Sequence, residues 1–311
     1  MGTLRRMRIG LNGGGATVER MIEQAQQAEA DGFSALWYPS AVAGDPVTPM
    51  AVVGRATSTI ELGTSVLQTY TAHPALQANR ALAAALAMGR PGFTLGIGPS
   101  HAPVIEGMYG MSFATPGRHT EEYVDIVAAL LHGEAVNQSG EELTLRGAAA
   151  QQPAQPVQLL VAALAPRLLR VAGAVADGTI LWMGNARAIE SHVAPRITAA
   201  AEAAGRGAPR IVAGLPVAVH DDEAEARAVA ARQFAIYGQL PNYQRILEHG
   251  GAPGPADAAI VGDEATVATR LQELVDAGAT DIWASIFPVG DDASGSRRRT
   301  RALLQELAAA G

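Results

Sequence analysis

The chain has 311 residues, 48% hydrophobic and 17% charged, a balance that buries roughly three quarters of the unfolded surface and excludes a disordered or fibrous protein. It contains no cysteine and all 23 Lys+Arg positions are arginine, which excludes disulfides, thiolate nucleophiles, Schiff-base chemistry, pyridoxal phosphate attachment and a Walker-type lysine. A formal net charge of −7 without a basic stripe argues against nucleic acid, and no apolar run approaches the ~18 residues that span a bilayer. A soluble cytoplasmic protein is therefore expected, acting on a small molecule.

Short apolar β-type runs alternate with amphipathic helical patterns along the chain. Strands are expected at residues 8–12, 34–39, 61–70, 92–98, 157–164, 179–183, 211–220 and 281–288, with helices at 18–30, 74–88, 118–131, 167–175, 188–204 and 264–276. Strands that are nearly all followed by a helix predict α/β architecture, a (β/α)8 TIM barrel rather than an open doubly wound sheet. Residues 136–152 read as a β-hairpin around Asn137-Gln138-Ser139-Gly140, inserted before the fifth strand. Residues 234–262, rich in Tyr, Pro and Gly, read as a rim excursion before the eighth. No linker interrupts the chain, so a single domain over 1–311 is expected. The basic run Arg297 to Arg299 with Arg301 reads as an exposed helix start.

Three stretches repeat one pattern: Ala30-Asp31-Gly32 before Leu36-Trp37, Ala176-Asp177-Gly178 before Leu181-Trp182, and Ala277-Gly278 before Ile282-Trp283. A glycine that caps a helix in the left-handed region, followed by a tryptophan at the end of the next strand, is the trace a barrel of βα units leaves. The tryptophans lie either at the C-terminal rim or in the core.

No HExxH pair and no GxSxG elbow occurs, so neither a zinc site nor an α/β-hydrolase triad has an anchor. Gly96-Ile97-Gly98-Pro99-Ser100-His101 lacks the third glycine of a dinucleotide fingerprint, but its small-residue turn lets a planar ligand approach the backbone. After the fifth strand, Ala162-Ala163-Leu164-Ala165-Pro166-Arg167 opens a helix whose free N–H groups suit a phosphate, with Arg167 adding charge. The alternative is a tight loop with Arg167 in solvent.

Ile60-Glu61-Leu62-Gly63-Thr64-Ser65-Val66-Leu67, His73-Pro74, Gly89-Arg90 and Phe93-Thr94-Leu95-Gly96-Ile97-Gly98-Pro99-Ser100-His101 together resemble the bacterial luciferase-like superfamily. Arg118-His119-Thr120-Glu121-Glu122-Tyr123 and residues 166–173 and 176–182 extend the likeness over nearly the whole chain. Within it, the sequence is most similar to the deazaflavin (coenzyme F420)-dependent oxidoreductases, including the methylenetetrahydromethanopterin reductase-like and glucose-6-phosphate dehydrogenase-like branches.

The resemblance implies a TIM barrel, usually homodimeric, that binds the deazaflavin at its C-terminal rim. It implies a non-prolyl cis peptide at Ser65–Val66, forming a bulge that backs the ring system so that donor and acceptor meet in near-attack geometry. It assigns Asn12, Thr64, Ser65, Val66 and Trp182 to cofactor binding, Gly98, Pro99, Ser100 and His101 to the ring and ribityl side, and Ala162, Ala163, Leu164, Ala165, Pro166 and Arg167 to the phosphate. Ala165 departs from the glycine many relatives carry, and the lysine that holds the phosphate in some is absent. Arg118 and Arg167 are the candidates for the cofactor's acidic tail. Trp37-Tyr38-Pro39-Ser40-Ala41 lacks the histidine that sugar-phosphate dehydrogenases of the group place there, so glucose 6-phosphate is not expected.

Tyr38, Tyr70 and His101 are candidate proton donors or substrate contacts because each follows a strand near the rim, and His101 has the most suitable ordinary pKa. A hydrogen-bonded structural histidine is the other reading of His101, and His73 is expected to position the third helix. The expected activity is reversible hydride transfer between F420 and a small molecule with an electron-poor C=C, C=N or C=O bond. The rivals are an FMN-dependent luciferase-like monooxygenase and a non-catalytic flavin-binding barrel.

Overall fold

In the computed structural model, which describes residues 7–39, 44–151 and 155–310, eight parallel strands pair in a closed ring. They are β1 (Arg8–Asn12), β2 (Ala35–Tyr38), β3 (Glu61–Thr64), β4 (Phe93–Gly98), β5 (Val157–Val161), β6 (Gly178–Trp182), β7 (Arg210–Val219) and β8 (Asp281–Ile286). Each pairs with the next, and β8 closes on β1 through Arg8↔Asp281 and Gly10↔Trp283. The helices that follow the strands in turn are α1 (Val18–Ala30), α2 (Val47–Arg55), α3 (Pro74–Met88), α4 (Pro116–Leu131), α5 (Pro166–Ala174), α6 (Ala194–Ala203), α7 (Glu264–Asp276) and α8 (Ala293–Ala309). This is the expected TIM barrel. None of the helices among the described residues is long and apolar enough to cross a membrane.

Strand alternation gives the ring two faces. Outward residues such as Leu36, Tyr38 and Leu62 join the layer between strands and helices. Inward residues Ala35, Trp37, Leu160, Ile180, Val212 and Trp283 form a separate cluster that fills the barrel. Trp37 fits only because its neighbours are small: a Cβ on Gly63 would lie 2.2 Å from its Cζ3.

The N-terminal end of the barrel is closed by charge rather than by carbon. Arg210 donates to Glu61 at 2.7 and 2.9 Å and to Asp281 at 2.9 and 2.6 Å, and Arg8 donates to the same two carboxylates. Burial disfavours the charged form of Asp281, but the hydrogen bonds and charge of Arg210 and Arg8 hold its carboxyl below the ordinary value.

β3 departs from regularity where the cofactor-binding bulge was expected. Its pairing with β4 runs through Leu62↔Phe93 and Gly63↔Thr94, then resumes at Leu67↔Ile97 and Gln68↔Gly98, so β3 carries one extra residue between. The Ser65–Val66 peptide is cis.

Other expectations need adjustment. Gly32 and Gly278 do follow helices with φ of 81° and 112°, but Gly178 is the first residue of β6, at φ 155°. There a Cβ would lie 2.0 Å from Arg210 O, so the glycine serves close strand approach and not a helix cap. Arg297 to Arg301 lie inside α8, where Arg299 bridges Asp221 and Glu264 and Arg301 pairs with Asp31, while Arg297 and Arg298 are exposed. The helix expected at 188–204 contains a π-helical turn, Ile189–Val193, before α6. The hairpin forms from Val136–Ser139 and Thr144–Gly147, its turn held by three amides that donate to the Glu122 carboxylate. Ser40, Ala41 and residue 152 lie outside the described residues.

Candidate functional site

A cavity of about 470 Å³ opens at the C-terminal ends of the strands. Its back wall is the bulge, Ser65 and Val66. The bulge is held by Thr64, whose hydroxyl donates to Gly96 O and accepts from Gly96 N, both at 2.8 Å, in place of the interrupted ladder. Ser65 Oγ is itself buried and has no partner in the protein. Beside it, β4 runs out through Gly98, where a Cβ would lie 2.8 Å from Ala162 Cβ and 3.0 Å from Val66 Cγ2. The slot between the bulge and β5 is therefore open only to a residue without a side chain. Ser100 then adopts φ 66°, turning the chain so that His101 lines the cavity.

A second wall is made by two helix N-termini. Pro166 takes the first turn of α5, and Ala165 at the N-cap is extended and offers no side-chain cap. Thr115 precedes α4, but its hydroxyl donates to Glu142 at 2.5 Å and caps nothing. The open ends of both helices, Pro116 and Gly117 on α4 and Ala165, Arg167 and Leu168 on α5, border the cavity. Unpaired N–H groups and the positive end of the helix dipole converge there, a ready anion site.

The third wall comes from the excursion between β7 and β8, through Phe234, Tyr237, Asn242, Tyr243 and Arg245. Tyr237 packs edge-on against Tyr243 and Trp182, and Tyr243 lies 5.4 Å from the His101 ring. Burial raises both tyrosine hydroxyls above their ordinary pKa, so they stay neutral. Deeper in, Trp283 Nε1 donates to Asn12 Oδ1 at 2.5 Å and Asn12 Nδ2 donates to Ser285 Oγ at 2.9 Å. Among the described residues no aspartate or glutamate lines the cavity, although the chain is acidic overall.

Most of the residues singled out in the sequence meet here. Ser65, Val66, Gly98, Pro99, Ser100 and His101 line the cavity from the bulge and β4, Ala162, Leu164, Ala165 and Arg167 from the β5–α5 loop, and Asn12 and Trp182 from elsewhere. Thr64 stands behind the wall, Ala163 is buried with its amide directed to Thr179 Oγ1, and Pro166 is exposed on α5. Tyr38 faces the helix layer, 1% exposed, because Trp37 takes the inward position of β2. Tyr70 does not line the cavity; it stacks on His119 at 3.9 Å, and burial with Glu142 and Glu106 pushes its hydroxyl up to about 12. Neither tyrosine is placed to donate a proton in the cavity. His101 lines the cavity, and burial lowers its pKa, so the ring is neutral at pH 7. Arg118 pairs with Glu141, and Arg167 with Glu121, so both charges are already met. Sequence reasoning missed Phe234, Tyr237, Asn242, Tyr243 and Arg245; the Tyr- and Pro-rich composition marked the segment but not the side chains that turn inward.

The profile of the luciferase-like monooxygenase family matches residues 2–281. The chain belongs to this family. It is 26% identical over 302 residues to 5,10-methylenetetrahydromethanopterin reductase of Methanolobus tindarius, covering 88% of this chain and 91% of that one. Among solved structures, this luciferase-like barrel superposes on the coenzyme F420 dependent tetrahydromethanopterin reductase of Methanopyrus kandleri with a TM-score of 0.76, at 20% identity over 97% of this chain and 98% of that one. It also matches the FMN complex of a type II Baeyer-Villiger monooxygenase of Pseudomonas putida, with a TM-score of 0.72 at 18% identity over 98% of each chain.

Proposed function

We propose that this luciferase-like protein is an F420-dependent oxidoreductase that moves a hydride between the deazaflavin and a small organic molecule with an electron-poor C=C, C=N or C=O bond. The reading rests on one observation: the Ser65–Val66 bulge lines the same cavity as two uncapped helix N-termini. That combination fits a flat polar ring system joined to a phosphate. The likeness to an F420-dependent glucose-6-phosphate dehydrogenase of Kineococcus radiotolerans, 29% identical over 85% of this chain, supports F420 over FMN.

When bound, the deazaflavin supplies a reactive carbon that carries two electrons as hydride. Ser65 and Val66 would back its rings, and the amides at the starts of α4 and α5 would meet its phosphate without a lysine. Tyr237, Tyr243 and Phe234, which line the open side, would screen the bound rings from water and so strengthen charge effects there. His101, neutral at pH 7, would donate its ring N–H to a substrate carbonyl or imine and so polarise the bond that accepts hydride. We further propose a homodimer, since adjacent α2 and α3 leave Val52, Leu76 and Leu86 exposed; sedimentation would test it.

Titration with F420 and with FMN, followed by oxidation of reduced F420 against a panel of enones, imines and aldehydes, tests the reading. Submicromolar F420 binding with turnover of one panel member is the expected result. Preferential FMN binding with oxygen consumption would instead establish a monooxygenase.

A further inference from the structure

The cavity has two positively charged places, and the proposed cofactor phosphate needs one. The α4 and α5 N-termini serve it, with Arg167 already tied to Glu121. The other is Arg245, on the excursion helix Pro241–His249. Its guanidinium donates to Asn242 Oδ1, one helical turn away, and no ion pair engages it among the described residues. Lone surface arginines are common, but this one borders a cavity to which no described residue brings a carboxylate, in a chain of net charge −7. The same segment contributes the flat faces of Tyr237 and Tyr243, beside Trp182 and the His101 ring.

We infer that Arg245 receives the carboxylate of the substrate, and that the substrate is a planar, conjugated acid whose body lies among Tyr237, Tyr243 and Trp182. The inference deepens the F420-dependent reading and rests on it for the chemistry, though not for the binding. Arginine suits this role because its planar fork matches a carboxylate in two parallel hydrogen bonds. Asn242 orients the fork from the side, and the aromatic rings accept an apolar, unsaturated body at low ordering cost.

Cinnamate and methyl cinnamate, the same body with and without charge, serve as probes. Each is titrated calorimetrically into the wild-type protein, R245M and R245K, first alone and then with saturating F420. Arg245 is exposed, so melting temperatures should agree across the variants. The expected result is that R245M binds cinnamate at least about tenfold more weakly, R245K falls between, and methyl cinnamate binds all three alike. Equal cinnamate affinity in wild type and R245M overturns the inference, as does no cinnamate binding by the wild type. Weaker F420 binding in R245M with unchanged cinnamate affinity also overturns it, by assigning Arg245 to the cofactor's acidic tail. Because the first titration contains no cofactor, failure of F420 to bind leaves this readout intact.

Discussion

Three histidines that lie under other side chains share one electrostatic fate. Burial lowers the pKa of His101, His119 and His192 below the ordinary 6.5, against a partial counterweight at His192 from the hydrogen bond to Leu164 O. In the unfolded chain these rings take up protons near pH 6.5, whereas in the folded protein they resist until lower pH. Between those values the unfolded state binds more protons, so stability is full above about pH 6.5 and is lost as pH falls through the depressed folded values. Urea midpoints measured from pH 7.5 to 5 should therefore decline with acid, and the His101 ring protons should titrate below 6.5 by NMR. A flat stability profile over that range would contradict the burial of these rings. For turnover, His101→Ala should slow the reaction by about 10²–10³-fold, the cost of removing one aligned donor, with little change in melting temperature.

The elements that shape the cavity are short, and small residues decide their geometry. Thr64→Val keeps the volume but removes both hydrogen bonds to Gly96, stranding a buried N–H and C=O; a loss of about 1–3 kcal/mol in urea unfolding is expected. Gly96→Ala is expected to cost at least as much, because its Cβ would lie 2.0 Å from Thr64 O and backbone on one strand must move. At α5 the effects on folding and binding should diverge. Ala165→Asp supplies the missing N-cap and should stabilise the protein by about 0.5–1 kcal/mol. The new carboxylate would also sit where the phosphate is proposed, so F420 affinity should fall at least about tenfold. A variant more stable and still binding F420 as wild type does would move the phosphate elsewhere.

The barrel as a whole separates stability from chemistry by polarity along its axis. Its N-terminal end is sealed by Arg8, Arg210, Glu61 and Asp281, drawn from four strands, and its C-terminal end carries the cavity. Arg210→Met would leave two carboxylates in the barrel with only the half-exposed Arg8 to serve them, and about 3–5 kcal/mol of stability should be lost. Asp281 contributes through a depressed pKa, so its share is present above pH 3.8 and fades as pH falls below that value. In R210M this acid-limb dependence should shrink, a difference that pH-dependent unfolding would detect far from the cavity.

The strand count, the barrel and the bulge at Ser65–Val66 were legible in the chain because each has a local or family signature: apolar runs of fixed spacing, helices bounded by Gly and Pro, and a motif carried on consecutive residues. The β4 turn and the β5–α5 loop were legible for the same reason. Tyr38 and Tyr70 misled because position after a strand does not say which face a side chain takes; β2 turns Trp37 inward and Tyr38 outward, and His119 holds Tyr70 aside. The neutralisation of Arg118 and Arg167, the inward turn of Tyr237, Tyr243 and Arg245, and the ion cluster at the barrel floor depend on residues far apart in sequence meeting across the ring. No local pattern encodes such meetings, since they follow from closure of the barrel, and closure is a property of all eight strands together.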